Sequence, residues 1–295
     1  MSPAPAELLA VKASGLVKRY GDVLAVDRLD LEIPTGQFFG LLGPNGSGKT
    51  STIHMLATLI RPSGGSASVY GHDVVRDAVR TRGSIGLVFQ ESALDRTLSV
   101  AENLRFAGLL YNLPARIIEQ RCAELLELFG LADKRNRPVG SLSGGMRRAL
   151  DIVRGVIHHP KILFLDEPTI GLDLPNRRKI WRFIENLRAR TGMTVLLTTH
   201  YLEEADGCDR VAFIKSGKLV KSGSTAEMVA GLGRYIVEIE SSDPKALAQR
   251  LAPTLGACLL DGDVANFRYA DEDVVRLAGL HSEPGAHIRA VRWRE

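Results

Sequence analysis

Residues Gly43-Pro44-Asn45-Gly46-Ser47-Gly48-Lys49-Thr50 decide how the rest of the chain is read. The apolar run Phe38-Phe39-Gly40-Leu41-Leu42 precedes them and reads as a buried strand, and Ser51 to Ile60 follows and reads as a helix. A G-x-x-x-x-G-K-T run between strand and helix is the setting of a phosphate-binding loop. Gly43, Gly46 and Gly48 let the backbone curl until successive N–H groups form an anion nest, and the helix N-terminus adds partial positive charge. The run from Gly43 to Ser51, with Pro44, Asn45 and Ser47 inside it, is therefore the candidate cradle for a nucleotide. Lys49 supplies a cation for the outer phosphates, and the Thr50 hydroxyl is a candidate Mg²⁺ ligand. A plain strand-to-helix turn has no need of Lys-Thr at that offset. The motif specifies nucleotide binding and leaves open what the energy is used for.

Downstream, apolar runs end repeatedly on polar residues. Ile85-Gly86-Leu87-Val88-Phe89-Gln90 reads as a strand with Gln90 at its tip, where a doubly wound sheet places ligands. The Gln90 amide there either ligates Mg²⁺ or a water, or caps a loop. Ile162-Leu163-Phe164-Leu165-Asp166-Glu167 reads as a buried strand closed by two carboxylates. Burying one carboxylate costs several kcal/mol or more unless it is paired, so a cation is the natural compensator. Asp166 is the candidate for Mg²⁺, and Glu167 for general base on an attacking water. Thr194-Val195-Leu196-Leu197-Thr198-Thr199-His200 is a further buried strand, with His200 at its tip and within reach of a γ-phosphate. Between these strands, Ser141 to Arg148 leads into a helix and contains Ser143-Gly144-Gly145, a second glycine-rich helix N-terminus that is either a second anion site or an ordinary helix cap.

The remaining segments frame these motifs. Leu8–Ala13 and Val23–Ile33 alternate as strands, with Leu16–Asp22 between them and Gly21-Asp22 as a turn signal. Tyr20 sits where an aromatic either stacks on a nucleotide base or packs on the core. Residues 97–137 read as helical: Ile117, Ile118, Cys122, Leu125, Leu126 and Phe129 form one apolar face, opposite Glu119, Arg121 and Glu124. Arg177–Arg190 reads as another helix, and Val211–Val220 as a hairpin.

Bulk properties narrow the classes. The 295 residues are 45% hydrophobic and 24% charged, an ordinary globular composition with room for one large α/β domain and a small appendage. Net charge is +4, divided as −2 over residues 231–295 and +6 over the rest. The basic excess thus accompanies the nucleotide motif and forms no tail for nucleic acid. Cys122, Cys208 and Cys258 share no C-x-x-C spacing, which argues against a disulfide framework and a zinc site and fits a reducing cytoplasm. No uncharged apolar run has membrane-spanning length, and Met1–Glu7 lacks the order of a signal peptide. Work at a membrane would then go through a partner.

After Gly231 the pattern changes. Tyr235–Glu240, Ala257–Leu260, Val264–Tyr269 and His287–Trp293 read as strands, and Pro244–Leu255 and Asp271–Leu280 as helices. The order β-α-β-β-α-β predicts a small α+β, split βαβ, ferredoxin-like domain over residues 233–295. It carries no catalytic constellation, and His281, His287 and Trp293 read as packing or surface residues.

The order of motifs resembles the ATP-binding subunits of ABC transporters over residues 8–230, with a helical subdomain at about 97–155. The resemblance implies the α/β fold of a P-loop NTPase. Gly43–Thr50 is similar to Walker A, Gln90 to the Q-loop, and Leu142-Ser143-Gly144-Gly145-Met146 to the family signature. Ile162–Asp166 looks like Walker B with Glu167 as the catalytic carboxylate, Ile170–Asp173 like the D-loop, His200 like the switch histidine, and Tyr20 like the base-stacking aromatic. The resemblance makes Lys49, Gln90, Glu167 and His200 the catalytic group and ATP the substrate. Thr50, Gln90 and Asp166 would hold Mg²⁺. Met146, Ile170-Gly171, Arg147-Arg148 and Thr198–Ala205 look like the bacterial ABC-2 type exporter branch, which includes drug and nodulation-factor exporters. Membership implies a head-to-tail homodimer in which Ser143, Gly144, Gly145 and Asp173 of one chain cover the ATP held by the other. It also implies a polytopic permease met by Glu91–Leu104, and a peripheral place on the cytoplasmic face of the membrane. A soluble relative acting on ribosomes or DNA is the alternative. The single Walker A run and the absence of heptads between Thr50 and Ser143 speak against it.

Overall fold

The computed structural model describes residues 8–225, 227, 235–255, 258–262, 264–269 and 288–294. The chain divides into two units, Met1–Ser224 and Thr225–Glu295, just before the boundary that the change of sequence pattern indicates. The described strands and α-helices of the first unit are β1 (Leu9–Tyr20), β2 (Val23–Pro34), β3 (Phe38–Leu42), α1 (Lys49–Leu56), β4 (Gly64–Val69), β5 (His72–Asp73), α2 (Ala78–Ser84) and β6 (Ile85–Val88). They continue with α3 (Val100–Leu110), α4 (Ala115–Leu128), α5 (Gly144–Val156), β7 (Ile162–Asp166), α6 (Leu174–Thr191), β8 (Thr194–Thr199), β9 (Arg210–Lys215) and β10 (Lys218–Ser224).

Six strands make the sheet that carries the motifs, in the order β10-β9-β3-β8-β7-β6. Strands β9, β3, β8, β7 and β6 run parallel, and β10 returns antiparallel at the edge. Every residue of β3, β7 and β8 is buried, as expected of parallel strands covered on both faces. Because they are parallel, their C-terminal ends lie at one edge, and the sequence places Gly43, Glu167 and His200 just past those ends. An antiparallel sheet in the order β2-β1-β4-β5 packs its apolar side, including Val11, Leu29, Leu31, Ile33 and Val69, into one core with Phe39, Ile53 and Phe164.

Three local departures from the sequence reading have physical causes. Leu16–Tyr20 belongs to β1, because register slips between Ala13 and Leu16 bulge the strand and let it continue beside β2. Helix α1 stops at Leu56 instead of reaching Ile60: Thr58 turns left-handed at φ 64°, and its hydroxyl accepts from Arg82 Nη1 at 3.0 Å. Helix α6 begins at Leu174, earlier than Arg177, because Asp173 caps it: Oδ1 accepts from the Asn176 N–H at 3.2 Å, and Pro175 suits the first turn.

The helical segment lies between β6 and β7. Ser99 and Glu102 close α3 with a reciprocal capping box. The apolar face of α4 buries Ile118, Cys122, Leu125 and Leu126, and Phe129 beyond it meets Phe183 of α6 at 4.9 Å between ring centroids. Among the described residues no helix is long and apolar enough to cross a membrane.

In the second unit, α7 (Pro244–Leu255) follows β11 (Tyr235–Ser241) and precedes β12 (Cys258–Asp261), β13 (Val264–Tyr269) and β14 (Ile288–Arg294). The antiparallel order β12-β13-β11-β14 is that of a split βαβ sheet. Asp243 accepts from the Ala246 N–H at 3.1 Å at the start of α7, while Leu247, Leu251 and Ala265 are buried. The expected helix Asp271–Leu280, His281 and His287 lie outside the described residues, as does the Trp293 side chain.

Candidate functional site

The loop after β3 turns tightly enough to start α1 at Lys49. Gly46 and Gly48 take φ of 75° and 106°, and a Cβ on Gly48 would stand 2.4 Å from the Ala25 carbonyl oxygen. Only glycine meets both demands there. The Gly43 N–H donates to the Thr199 carbonyl at 3.3 Å, which ties the loop to the end of β8. Lys49 is 4% exposed; its Nζ donates to the Gly43 and Pro44 carbonyls at 2.8 and 3.1 Å and stands 3.4 Å from Glu167 Oε1.

The acidic pair sits where the sequence puts it, in different company at each carboxylate. Asp166 is 1% exposed, and its Oδ1 accepts from the Thr50 hydroxyl at 3.1 Å and the Thr198 hydroxyl at 2.6 Å. Thr198 also accepts the Glu167 N–H at 3.0 Å. Glu167 turns left-handed at φ 45°, an uncommon conformation for a residue with a Cβ. Its Oε2 lies 3.3 Å from His200 Nδ1. Five of the residues singled out in the sequence, Lys49, Thr50, Asp166, Glu167 and His200, therefore form one connected cluster at the strand tips.

A cavity of about 400 Å³ opens above this cluster, lined by Val23, Asn45, Lys49, Ser51, Gln90 and Glu167 among others. Gln90 is exposed on its rim. Tyr20 is 47% exposed, with its hydroxyl 3.5 Å from Ser51 Oγ, so β1 does return the aromatic to the phosphate loop. The oxygen donors of Thr50 and Asp166 suit a hard cation that keeps several waters. Ser143, Gly144 and Gly145 are not brought into this cavity. Ser143 caps α5 by accepting the Met146 N–H at 3.3 Å, and Ser143 and Gly145 line a separate cleft with Phe129, Met146 and Asn176. Asp173, as the α6 cap, is also absent from the residues that line the nucleotide cavity.

Sequence reasoning missed three contributors. Thr198 reads as one more β-branched residue in a buried strand. His54, on α1, has Nε2 4.0 Å from Asp166 Oδ2, at a position that reads only as helical. Arg148 enters the sequence reading only as part of the Arg147-Arg148 pair, with no place in the site, and it is buried; burial draws its guanidinium below the usual value, against the opposing pull of Asp151 and Asp166. The available signal was its place four residues before Ile152, on the apolar face of α5.

The sequence model of the ABC transporter family matches residues 26–170. The daunorubicin/doxorubicin resistance ATP-binding protein DrrA of Streptomyces peucetius is 41% identical over 283 residues, 96% of this chain and 84% of that protein. Nod factor export ATP-binding protein I of Cupriavidus pinatubonensis is 38% identical, over 96% of this chain and 87% of its own length. Among solved structures, cbiO1 of Clostridium perfringens, part of the ABC transporter complex cbiONQ, superposes with a TM-score of 0.71 at 25% identity, covering 84% of this chain and 96% of that one. The post-hydrolysis dimer of the ATP-binding cassette MJ0796 with ADP and Pi gives 0.66 at 26% identity, covering 72% and 98%.

Proposed function

This chain belongs to the ATP-binding subunits of ABC transporters, and from that premise we propose that it powers an exporter by closing, two copies together, around two ATP molecules that it then hydrolyses. The observation that carries the reading is the single cluster of Lys49, Thr50, Asp166, Glu167 and His200 at the ends of β3, β7 and β8. Within it, Gly43 to Ser51 cradle the phosphates and Lys49 neutralises them. Thr50, Asp166 and Gln90 would hold Mg²⁺, which when bound would offset charge on the phosphate oxygens. Glu167 accepts a proton from the attacking water. His200 holds the Glu167 carboxylate from one side and faces the terminal phosphate from the other, and Tyr20 stacks on the base.

The separate cleft that contains Ser143 and Gly145 supports the paired arrangement: one chain offers its own ATP no signature contact, and a second copy is needed to complete the site. The export assignment rests on the drug and Nod factor relatives, which match this chain across nearly its full length. Docking on a transmembrane permease is supported by a groove lined by Leu59, Arg82, Leu87, Phe89, Leu110 and Tyr111, beside the expected segment Glu91–Leu104. Phe106, Leu109 and Leu110 are more than half exposed at the end of α3, an apolar row with a use if a partner covers it. A peripheral location on the cytoplasmic side follows from that partner.

Glu167→Gln tests the core of the proposal. The variant is expected to bind ATP with wild-type affinity and to lose hydrolysis by about a hundredfold or more. It should also shift from monomer to dimer in ATP, read by size-exclusion chromatography with light scattering. Wild-type turnover in this variant would remove Glu167 from the role of base.

A further inference from the structure

Helix α5 carries two charged side chains into the interior, Arg148 at 8% and Asp151 at 3% exposure. Three residues apart, they share a helix face. Neither lines the nucleotide cavity. Arg148 spreads its guanidinium over the backbone of two separate loops. Nε donates to the Pro168 carbonyl at 2.6 Å, and Nη2 to the Asp166 and Glu167 carbonyls at 3.2 and 3.1 Å. Nη1 donates to the Phe89 carbonyl at 2.6 Å and reaches the Gln90 carbonyl at 3.5 Å. Asp151 holds the continuation of the second loop: its Oδ1 accepts the Ala93 N–H at 3.3 Å.

Two side chains within one turn of one helix thus fasten the exit of β7 and the loop after β6. Among the carbonyls that Arg148 holds is that of Glu167, which sits in the left-handed region and keeps this shape because its surroundings enforce it. The Glu167 N–H is fixed by Thr198 and its carbonyl by Arg148. A rigid, planar, always-charged fork suits this task, and a lysine ammonium has too few donors in the wrong directions to replace it.

We propose that Arg148 and Asp151 are positioning residues for hydrolysis, setting Glu167 and Gln90 from the helix that begins at the Ser143 loop. The inference rests on the reading of Glu167 as the general base. Through Arg148, the carboxylate and the Q-loop of a chain take their places relative to that chain's own signature helix. A change in the tilt of α5 is therefore felt at both.

The test compares three forms of the full chain in ATPase and MgATP-binding assays, with Glu167→Gln alongside. Arg148→Lys keeps a cation beside Asp151. The double variant Arg148→Met with Asp151→Leu removes the pair together, so that neither charge is left buried alone. Both should lose about tenfold to a hundredfold in kcat, the scale of a displacement of about 1 Å in a catalytic group. Both should bind ATP within about twofold of the wild type, on the order of the smallest change such a displacement produces. Turnover within about twofold of the wild type in either variant overturns the inference, since a correctly set Glu167 would not need the fork. ATP affinity and melting temperature falling in step with kcat also overturn it, because that is the signature of general structural loss. An active Glu167→Gln overturns instead the reading of Glu167 as the base, and is recognised separately for that reason.

Discussion

Replacing Thr198 by valine isolates one hydroxyl at the centre of the site. The side chain is fully buried on β8, directly opposite Asp166 in the register with β7. Valine keeps shape and volume but removes a donor 2.6 Å from Asp166 Oδ1 and an acceptor 3.0 Å from the Glu167 N–H. The lost hydrogen bond to a carboxylate is worth about 1.5–3 kcal/mol, and a stranded buried N–H costs about 1–3 kcal/mol. Thr50 still donates to the same oxygen, so the two terms do not add in full. A net loss of about 3 kcal/mol is expected, which lowers the melting temperature of a unit of this size by roughly 6–12 °C. Thr198→Ser keeps the hydroxyl and gives up only a methyl group, a loss of about 1 kcal/mol. Calorimetry of the three chains at one concentration measures the difference. The rate should follow the same order, with valine slowing turnover by about tenfold or more and serine by much less. Valine melting within about 2 °C of the wild type, or serine matching valine, would refute the argument that the hydroxyl bridges the two acidic residues.

Ser143→Arg is expected to leave monomer binding of ATP intact and to stop hydrolysis, because Ser143 lies in a cleft apart from the chain's own phosphate loop; equal loss of monomer binding would contradict the paired site. The imidazole of His158 is lowered from 6.5 to about 4 by burial, partly offset by its hydrogen bond to the Ile85 carbonyl, and the unfolded chain therefore takes up this proton first as pH falls. Stability from the neutral ring is complete above pH 6.5 and is lost towards pH 4, by an amount on the order of 3 kcal/mol; His158→Phe keeps an aromatic ring against Tyr111 and should flatten urea-derived stability across that window, and an unchanged slope would exclude His158 as its source.

What the sequence disclosed follows from what periodicity and composition record. β7 and β8 are buried on both faces, so an unbroken apolar run reports them, and the first polar residue after the run reports the tip. Because the strands are parallel, knowing the tips is nearly the same as knowing the site. The N-terminal register was less legible. Only the pairing with β2 and β4 shows that the irregularity around Gly15 is a bulge inside β1 and not a strand end. Thr198 was hidden because a β-branched residue belongs in a buried strand whether or not its hydroxyl is used. Arg148 and Asp151 were hidden for the opposite reason. Charges are usually solvated, and what reverses that rule here is a set of backbone carbonyls and an amide supplied by loops 18 to 59 residues away in sequence. No local pattern encodes such partners. The trace they leave is a pair of opposite charges three apart on the apolar face of a helix.

The neighbours of the two adjacent carboxylates argue for a division of labour between them. Glu167 is met by cationic or potentially cationic side chains, Lys49 at 3.4 Å and His200 at 3.3 Å. Asp166, more deeply buried, is met at hydrogen-bond distance by two neutral hydroxyls, with His54 only at 4.0 Å. Arg148 adds a longer-range attraction, but neutral donors at contact leave much of a buried carboxylate's charge uncompensated. The missing charge is best supplied by a divalent cation, and the Thr50 hydroxyl beside Asp166 is the kind of oxygen such an ion shares. Glu167 already has its compensation and is free to deal with a proton. If Mg²⁺ instead depended on Glu167, removing that carboxylate would weaken metal-dependent nucleotide binding. The same Glu167→Gln protein, titrated with ATP with and without Mg²⁺, therefore decides the division. Unchanged Mg²⁺ dependence removes Glu167 from the metal site and leaves the metal to the Thr50 and Asp166 side, and lost dependence returns it to Glu167.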